Sequence, residues 1–253
     1  MSLINYKTYV HQIVDSYLSA GGAPQTVSKL SKPVGISSQP KILILAPHPD
    51  DECLMAGFAL RAKEEWNAEV FVLPFSFGSD ISRRQARIQE LKDSLHVLDF
   101  KLIDPRLNGA TEKLSQPEFE AVMNQLVPDV VISPHLADHH PAHIETARMV
   151  QAFLSANAKS IVWLQTEYWQ QNGFANEFLP LSTEHVIQIG EALQKHRGEI
   201  SRNPYHLRLP AWYIDQARRA QELLTNFGGA GAPQFMFGQL LQRVDMQSKA
   251  PKP

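Results

Sequence analysis

Two rhythms of apolar residues alternate along this chain. Short, nearly continuous apolar runs occur at 41–46 (Lys-Ile-Leu-Ile-Leu-Ala), 69–75, 100–104, 129–133 and 160–166. Runs of that length, bounded by turn residues, predict buried strands. Between them apolar residues recur every three or four positions, which predicts helices over 52–65, 83–98, 117–127 and 141–154. In the second of these, Ile88, Leu91, Leu95 and Leu98 form the inner stripe and Ser82 is placed to cap it; in the third the stripe is Phe119, Val122, Met123 and Leu126. Strand, helix, strand, helix in this order predicts parallel β-α-β units. The expected fold is therefore α/β and Rossmann-like, a mostly parallel sheet with helices on both faces.

Outside this core the pattern is plainer. A helical stripe through Tyr6, Tyr9, Val10, Ile13, Val14 and Tyr17 predicts a helix over 4–18 that packs on the outside of the main body. The Gly-, Pro- and Ser-rich stretch 21–40 reads as a connector, Asn108-Gly109 as a turn, and 247–253 as a loose tail. Polar and apolar residues alternate over 184–189, as in an edge strand. A helical segment follows over 190–202, and Pro210 can open another helix through Leu223, with Gly228-Gly229 ending it. No repeat, phosphate-cradling glycine loop or low-complexity linker divides the chain, so 1–253 reads as a single domain with its core at about 41–226.

Charge changes this picture by exclusion. The formal net charge is −2 with both signs interspersed, so nothing draws the chain to nucleic acid or an anionic membrane. A lone cysteine, Cys53, allows no internal disulfide, and no apolar stretch has the length of a membrane span or a signal-peptide core. The expectation is a cytoplasmic protein without membrane insertion. A homo-oligomer is left open.

The chemistry sits where the first strand ends. Ala46-Pro-His48-Pro-Asp50-Asp51-Glu52 places one imidazole and three carboxylates between an apolar run and a helix. In open α/β sheets ligands bind at the carboxyl ends of strands. One imidazole and two carboxylates within four positions can hold a borderline metal such as zinc and leave a carboxylate spare as a base. Caps and helix dipoles favour acids there too, and Glu52 fits that structural role. A second concentration, His135-Leu-Ala-Asp138-His139-His140-Pro141-Ala142-His143, follows the fourth strand. Pro141 suits a first helical position, which makes His140 the cap and sets His140 and His143 on one face. A catalytic zinc keeps three protein ligands and an open position, and His48, Asp51 and His143 are the natural set. Asp50 is then the candidate base and His140 the candidate acid. Aromatic residues Tyr168 and Trp169, at the end of the fifth strand, can stack on a sugar ring or seal the core edge.

The string Ala-Pro-His-Pro-Asp-Asp-Glu, with His140-Pro-Ala-His143 about a hundred residues later, resembles the motifs of the PIG-L/LmbE-like family of zinc-dependent N-deacetylases. That resemblance implies hydrolysis of the acetyl group of an N-acetylglucosamine-type sugar, a small-molecule substrate. It implies zinc, or another divalent metal, on His48, Asp51 and His143, with base and acid roles at Asp50 and His140. It also implies an arginine near the substrate, matched here by Arg87 in Arg-Ile-Gln-Glu90; ordinary ion pairs on a solvated helix face are the competing reading of those residues. The family's second motif is usually His-Pro-Asp-His, and this chain has Ala142 in place of that aspartate. The alternatives are a metal- and sugar-binding protein with weakened turnover, or an amidase acting on another small N-acyl substrate.

Overall fold

A computed structural model describes residues 4–22, 27–33, 35–104, 106, 113–157, 160–168, 170–225 and 235–244. The expected tail, the Asn108-Gly109 and Gly228-Gly229 turns, and Trp169 lie outside the described residues. In chain order the elements are α1 (Tyr6–Ser19), β1 (Lys41–Ala46), α2 (Asp51–Trp66), β2 (Glu69–Pro74), α3 (Arg84–Leu98), β3 (Lys101–Leu102), α4 (Gln116–Leu126) and β4 (Val130–Pro134). They continue with α5 (Pro141–Ala156), β5 (Val162–Thr166), β6 (Glu177–Leu181), α6 (Thr183–Leu193), α7 (Arg197–Arg202), α8 (Leu209–Thr225) and β7 (Phe237–Val244).

The strands form one sheet in the order β3-β2-β1-β4-β5-β7-β6, parallel from β3 to β5, with β7 antiparallel to both of its neighbours. Successive side chains of a strand point to opposite faces. In β1, accordingly, Ile42, Ile44 and Ala46 join the core under α2, α3 and α6, while Leu43 and Leu45 join the second core under α4 and α5. Both faces are covered, which is why the run is apolar throughout rather than alternating. Among the described residues, no helix is long and apolar enough to cross a membrane.

Four sequence expectations need correction. Residues 184–189 are helical, inside α6, not an edge strand. Ser182 and His185 form a reciprocal N-terminal cap there, and Val186, Ile189, Gly190 and Leu193 face inward at helical spacing. The bare Cα of Gly190 is what admits the Tyr6 ring of α1 onto that face. The segment 190–202 is not one helix, because α6 stops at Leu193 and α7 begins at Arg197. Asp80, rather than Ser82, accepts the capping bond, and a short 3-10 turn at Ile81–Arg83 leads into α3. The strand expected over 100–104 shrinks to Lys101–Leu102. Strands β6 and β7, which complete the sheet edge, carry no continuous apolar run: Pro180 interrupts one, and Gly238, Gln239, Gln242 and Arg243 the other.

Candidate metal centre

β1 is where the strand order turns, with β2 on one side and β4 on the other. The loops that leave the ends of β1 and β4 therefore meet, as ligand-bearing loops do at such a point. The β1 turn is tied to the end of β2 by the Phe75 N–H to Ala46 O and Ser76 N–H to Pro47 O bonds, at 2.6 and 3.0 Å. At its apex the Asp51 carboxylate folds back to accept the His48 backbone N–H at 2.9 Å. Tyr168 donates its hydroxyl to the Asp51 carbonyl at 2.7 Å and sets its ring against His143, 4.5 Å between centroids.

From the other loop, α5 starts at Pro141 with His140 as its N-cap, as the sequence predicted, and His143 lies buried one turn in. Asp138 organises this loop. Its Oδ1 accepts the His140 backbone N–H at 2.8 Å and its Oδ2 lies 3.2 Å from His143 Nδ1. The imidazole of His143 is thereby oriented with Nε2 toward Asp51 Oδ2, 3.6 Å away. His48 Nδ1 is 3.2 Å from the same Asp51 oxygen, and ligand atoms of His48, Asp51 and His143 all lie within 4.8 Å of one another. Two imidazole nitrogens and a carboxylate oxygen are the donor set of a borderline divalent cation. The carboxylate behind His143 is the outer partner that metal-ligating imidazoles ordinarily have. These residues fit a metal.

Electrostatics follow from the crowding. Burial opposes ionisation of Asp51, but the bond from His48 and the charge of His143 outweigh it and hold its carboxyl below the usual range. Burial likewise opposes a charge on His143, yet the Asp138 bond and Asp51 raise its pKa. Asp50 goes the other way: burial, then repulsion from Asp51, push it up to about 8 in the metal-free chain. Its Oδ2 accepts the Tyr205 hydroxyl at 2.5 Å, and its backbone sits at φ 111°, ψ −32°. A non-glycine residue in such a conformation stores on the order of 1–3 kcal/mol of strain, and strain of this kind concentrates at functional sites. His140 is exposed, and burial of part of its ring with His143 and His48 nearby lowers its pKa. Among the described residues no carboxylate bonds its ring; Asp138 takes its backbone and the ring of His143 instead.

A cavity of about 790 Å³ opens over these groups, lined by His48, Asp50, Asp51, His140 and His143 on its floor. Arg83, Arg87 and Arg202 on its wall converge on Glu199, the first two at 2.9 and 3.2 Å. Arg87 also donates to the Phe77 carbonyl at 2.8 Å, close above Gly78, where φ is +86° and any Cβ would collide with its guanidinium. Arg87 is thus fixed at the cavity wall, not in a solvated ion pair. Tyr168 is buried and lines a separate apolar pocket with Leu54, Tyr205 and Trp212, so its hydroxyl is spent on the turn. The sequence did not single out Tyr205, Glu199, Arg83 or Arg202; nothing in the local pattern of 197–205 marks it as part of a site. Asp138 was recognisable as a carboxylate flanking a histidine pair.

Residues 43–154 match the family model described as GlcNAc-PI de-N-acetylase (PIG-L). No curated protein sequence matches the chain. Among solved structures, the fold is similar to GalB, the 4-carboxy-2-hydroxymuconate hydratase from Pseudomonas putida KT2440, at 17% identity and TM-score 0.63, covering 85% of this chain and 100% of that one. It is also similar to N,N'-diacetylchitobiose deacetylase from Pyrococcus horikoshii, at 15% identity and TM-score 0.56, covering 81% and 83%. A third is a zinc-inhibited form of teicoplanin deacetylase, at 16% identity and TM-score 0.57, covering 81% and 99%.

Proposed function

We propose, from the match of residues 43–154 to the PIG-L family model, that the protein is a zinc-dependent hydrolase that removes an N-acetyl group from an N-acetylglucosamine-type sugar or glycoconjugate. The observation that carries this reading is the convergence of His48, Asp51 and His143 from two loops far apart in sequence, with Asp50 beside them on one cavity floor. His48, Asp51 and His143 would hold the divalent cation, which when bound supplies Lewis acidity toward water and the amide carbonyl.

The chain's own residues supply the rest. Asp50, held by Tyr205, takes the proton that water loses as it adds to the amide carbon. As the C–N bond breaks, His140 gives a proton to the departing nitrogen, and acetate and a free amine result. Arg87 and its neighbours at the wall orient the sugar through its hydroxyl or anionic groups. Tyr168 steadies the Asp51 turn from behind.

The test is acetate release from a panel of N-acetylated sugars by metal-loaded protein, against a Asp50→Asn control. Release above the control by two orders of magnitude is expected. Water addition to an activated alkene would use the same base and cavity, and a hydratase shares this fold. Turnover of unsaturated carboxylic acids without acetate release from any N-acetyl sugar would favour that second reading.

A further inference from the structure

Beneath the cavity floor lies a cluster that the scheme above leaves unused. Glu52, Cys53, Ser94 and His196 are all fully buried. Glu52 Oε1 lies 2.6 Å from His196 Nε2 and accepts the Ser94 hydroxyl at 2.8 Å, with Cys53 Sγ at 3.3 Å. These contacts close the four side chains into one hydrogen-bonded unit. The other oxygen of Glu52 accepts the backbone N–H of Asp50 at 2.7 Å.

That bond lands on the residue whose backbone is strained, Asp50 at φ 111°. A residue remains in such a conformation only where its surroundings over-determine it. Prolines flank the turn at 47 and 49, but neither constrains the φ of Asp50 itself. Tyr205 grips the carboxylate and Glu52 takes the main-chain N–H, while the Asp50 carbonyl accepts the Cys53 N–H at 3.1 Å as the first bond of α2, so Glu52 holds the side of the peptide that the helix does not. Glu52 is in turn held by His196, which enters between α6 and α7, outside the matched segment 43–154.

We propose that the Glu52–His196 pair is a positioning device for Asp50: His196 fixes the Glu52 carboxylate, and Glu52 fixes the backbone conformation that aims Asp50 into the cavity. The proposal rests on reading Asp50 as the base. It gives Glu52 a directed role beyond matching a helix dipole, and it makes the C-terminal half of the chain a necessary part of the proton-transfer site.

The experiment uses zinc-loaded full-length protein with His196→Leu, which removes the donor to Glu52, and His196→Gln, which restores one. The readouts are kcat and KM on an N-acetyl sugar that the parent cleaves, metal stoichiometry, and hydrogen–deuterium exchange over 48–54. His196→Leu is expected to keep its metal and a KM within twofold, lose at least tenfold in kcat, and exchange at least tenfold faster over 48–54. His196→Gln is expected within threefold of the parent on both. A kcat within twofold of the parent in His196→Leu, or unchanged exchange over 48–54, overturns the proposal. If His196→Leu does not fold, Ser94→Ala carries the test: about threefold lower kcat with faster exchange supports it, and no change in either overturns it. Should the parent cleave no N-acetyl sugar, the proposed function fails by itself, while the exchange of 48–54 still decides whether His196 holds the Asp50 backbone.

Discussion

Replacing Asp50 by Asn should make the metal-free protein more stable while abolishing its activity. In the folded, metal-free chain burial and Asp51 raise the Asp50 pKa from 3.8 to about 8. A carboxyl whose folded pKa is raised keeps a proton that the unfolded chain releases, so stability falls as pH rises from about the unfolded value to the folded one and is flat above it. At pH 7 the group is held protonated about three units above its ordinary pKa, which at about 1.4 kcal/mol per unit penalises folding by roughly 4 kcal/mol. Because Asp51 shares part of that penalty, about 2–4 kcal/mol is the gain expected from Asp50→Asn. Asn keeps an oxygen for the Tyr205 hydroxyl and is among the residues that tolerate positive φ, so neither the bond nor the backbone should be lost.

The assay is urea or thermal unfolding of chelator-treated parent and variant from pH 4 to pH 8. The two should nearly coincide at pH 4 and separate steadily upward. At about 2–4 °C per kcal/mol for a chain of this size, the variant's Tm at pH 7 should lie roughly 5–15 °C higher. Divalent metal should narrow the gap, since a cation beside Asp50 favours its charged form. Loss of the base should lower kcat by about 10²–10⁴. Unfolding curves that stay parallel across pH 4–8, or an Asp50→Asn protein less stable than the parent at pH 7, would refute the electrostatic account of this turn.

Three further outcomes are expected. Asp138→Ala frees the His143 ring and also releases the His140 backbone N–H, so metal affinity measured by competition with a chelator should drop about 10–100-fold. Ala142→Asp puts a carboxylate at the cavity wall beside His140, raising a pKa that burial and two neighbouring imidazoles now lower; the alkaline limb of the kcat profile should move to higher pH, and an unmoved limb in a folded variant would remove His140 from the proton-donor role. Arg87→Ala leaves Glu199 paired with Arg83 and Arg202, so the wall should persist and the loss should appear as a KM raised about tenfold or more, with metal content unchanged.

How much of this was legible in the sequence follows from where each constraint acts. β1, β4 and the helices after them are local objects: an apolar run buried on both faces, a Pro at N1, a stripe every three or four residues. Their motifs could be assigned to strand ends because the same residues that form the strand also deliver the ligands. The alternation at 184–189 misled for the opposite reason, since Glu184-His-Val-Ile-Gln-Ile satisfies both periods over six residues and only the Ser182–His185 cap and the contact with Tyr6 decide for helix. The supports of the base were hidden in a deeper way. Tyr205 is 155 residues from Asp50, and His196 is 144 residues from Glu52. Tyr205 stands in no pattern that its neighbours require, and no local spacing links His196 to Glu52, because each is specified by the residue it meets across the fold. A strand-end motif thus announces which atoms do chemistry, whereas the conformation that makes them competent is written in distant segments that read, on their own, as ordinary helix ends.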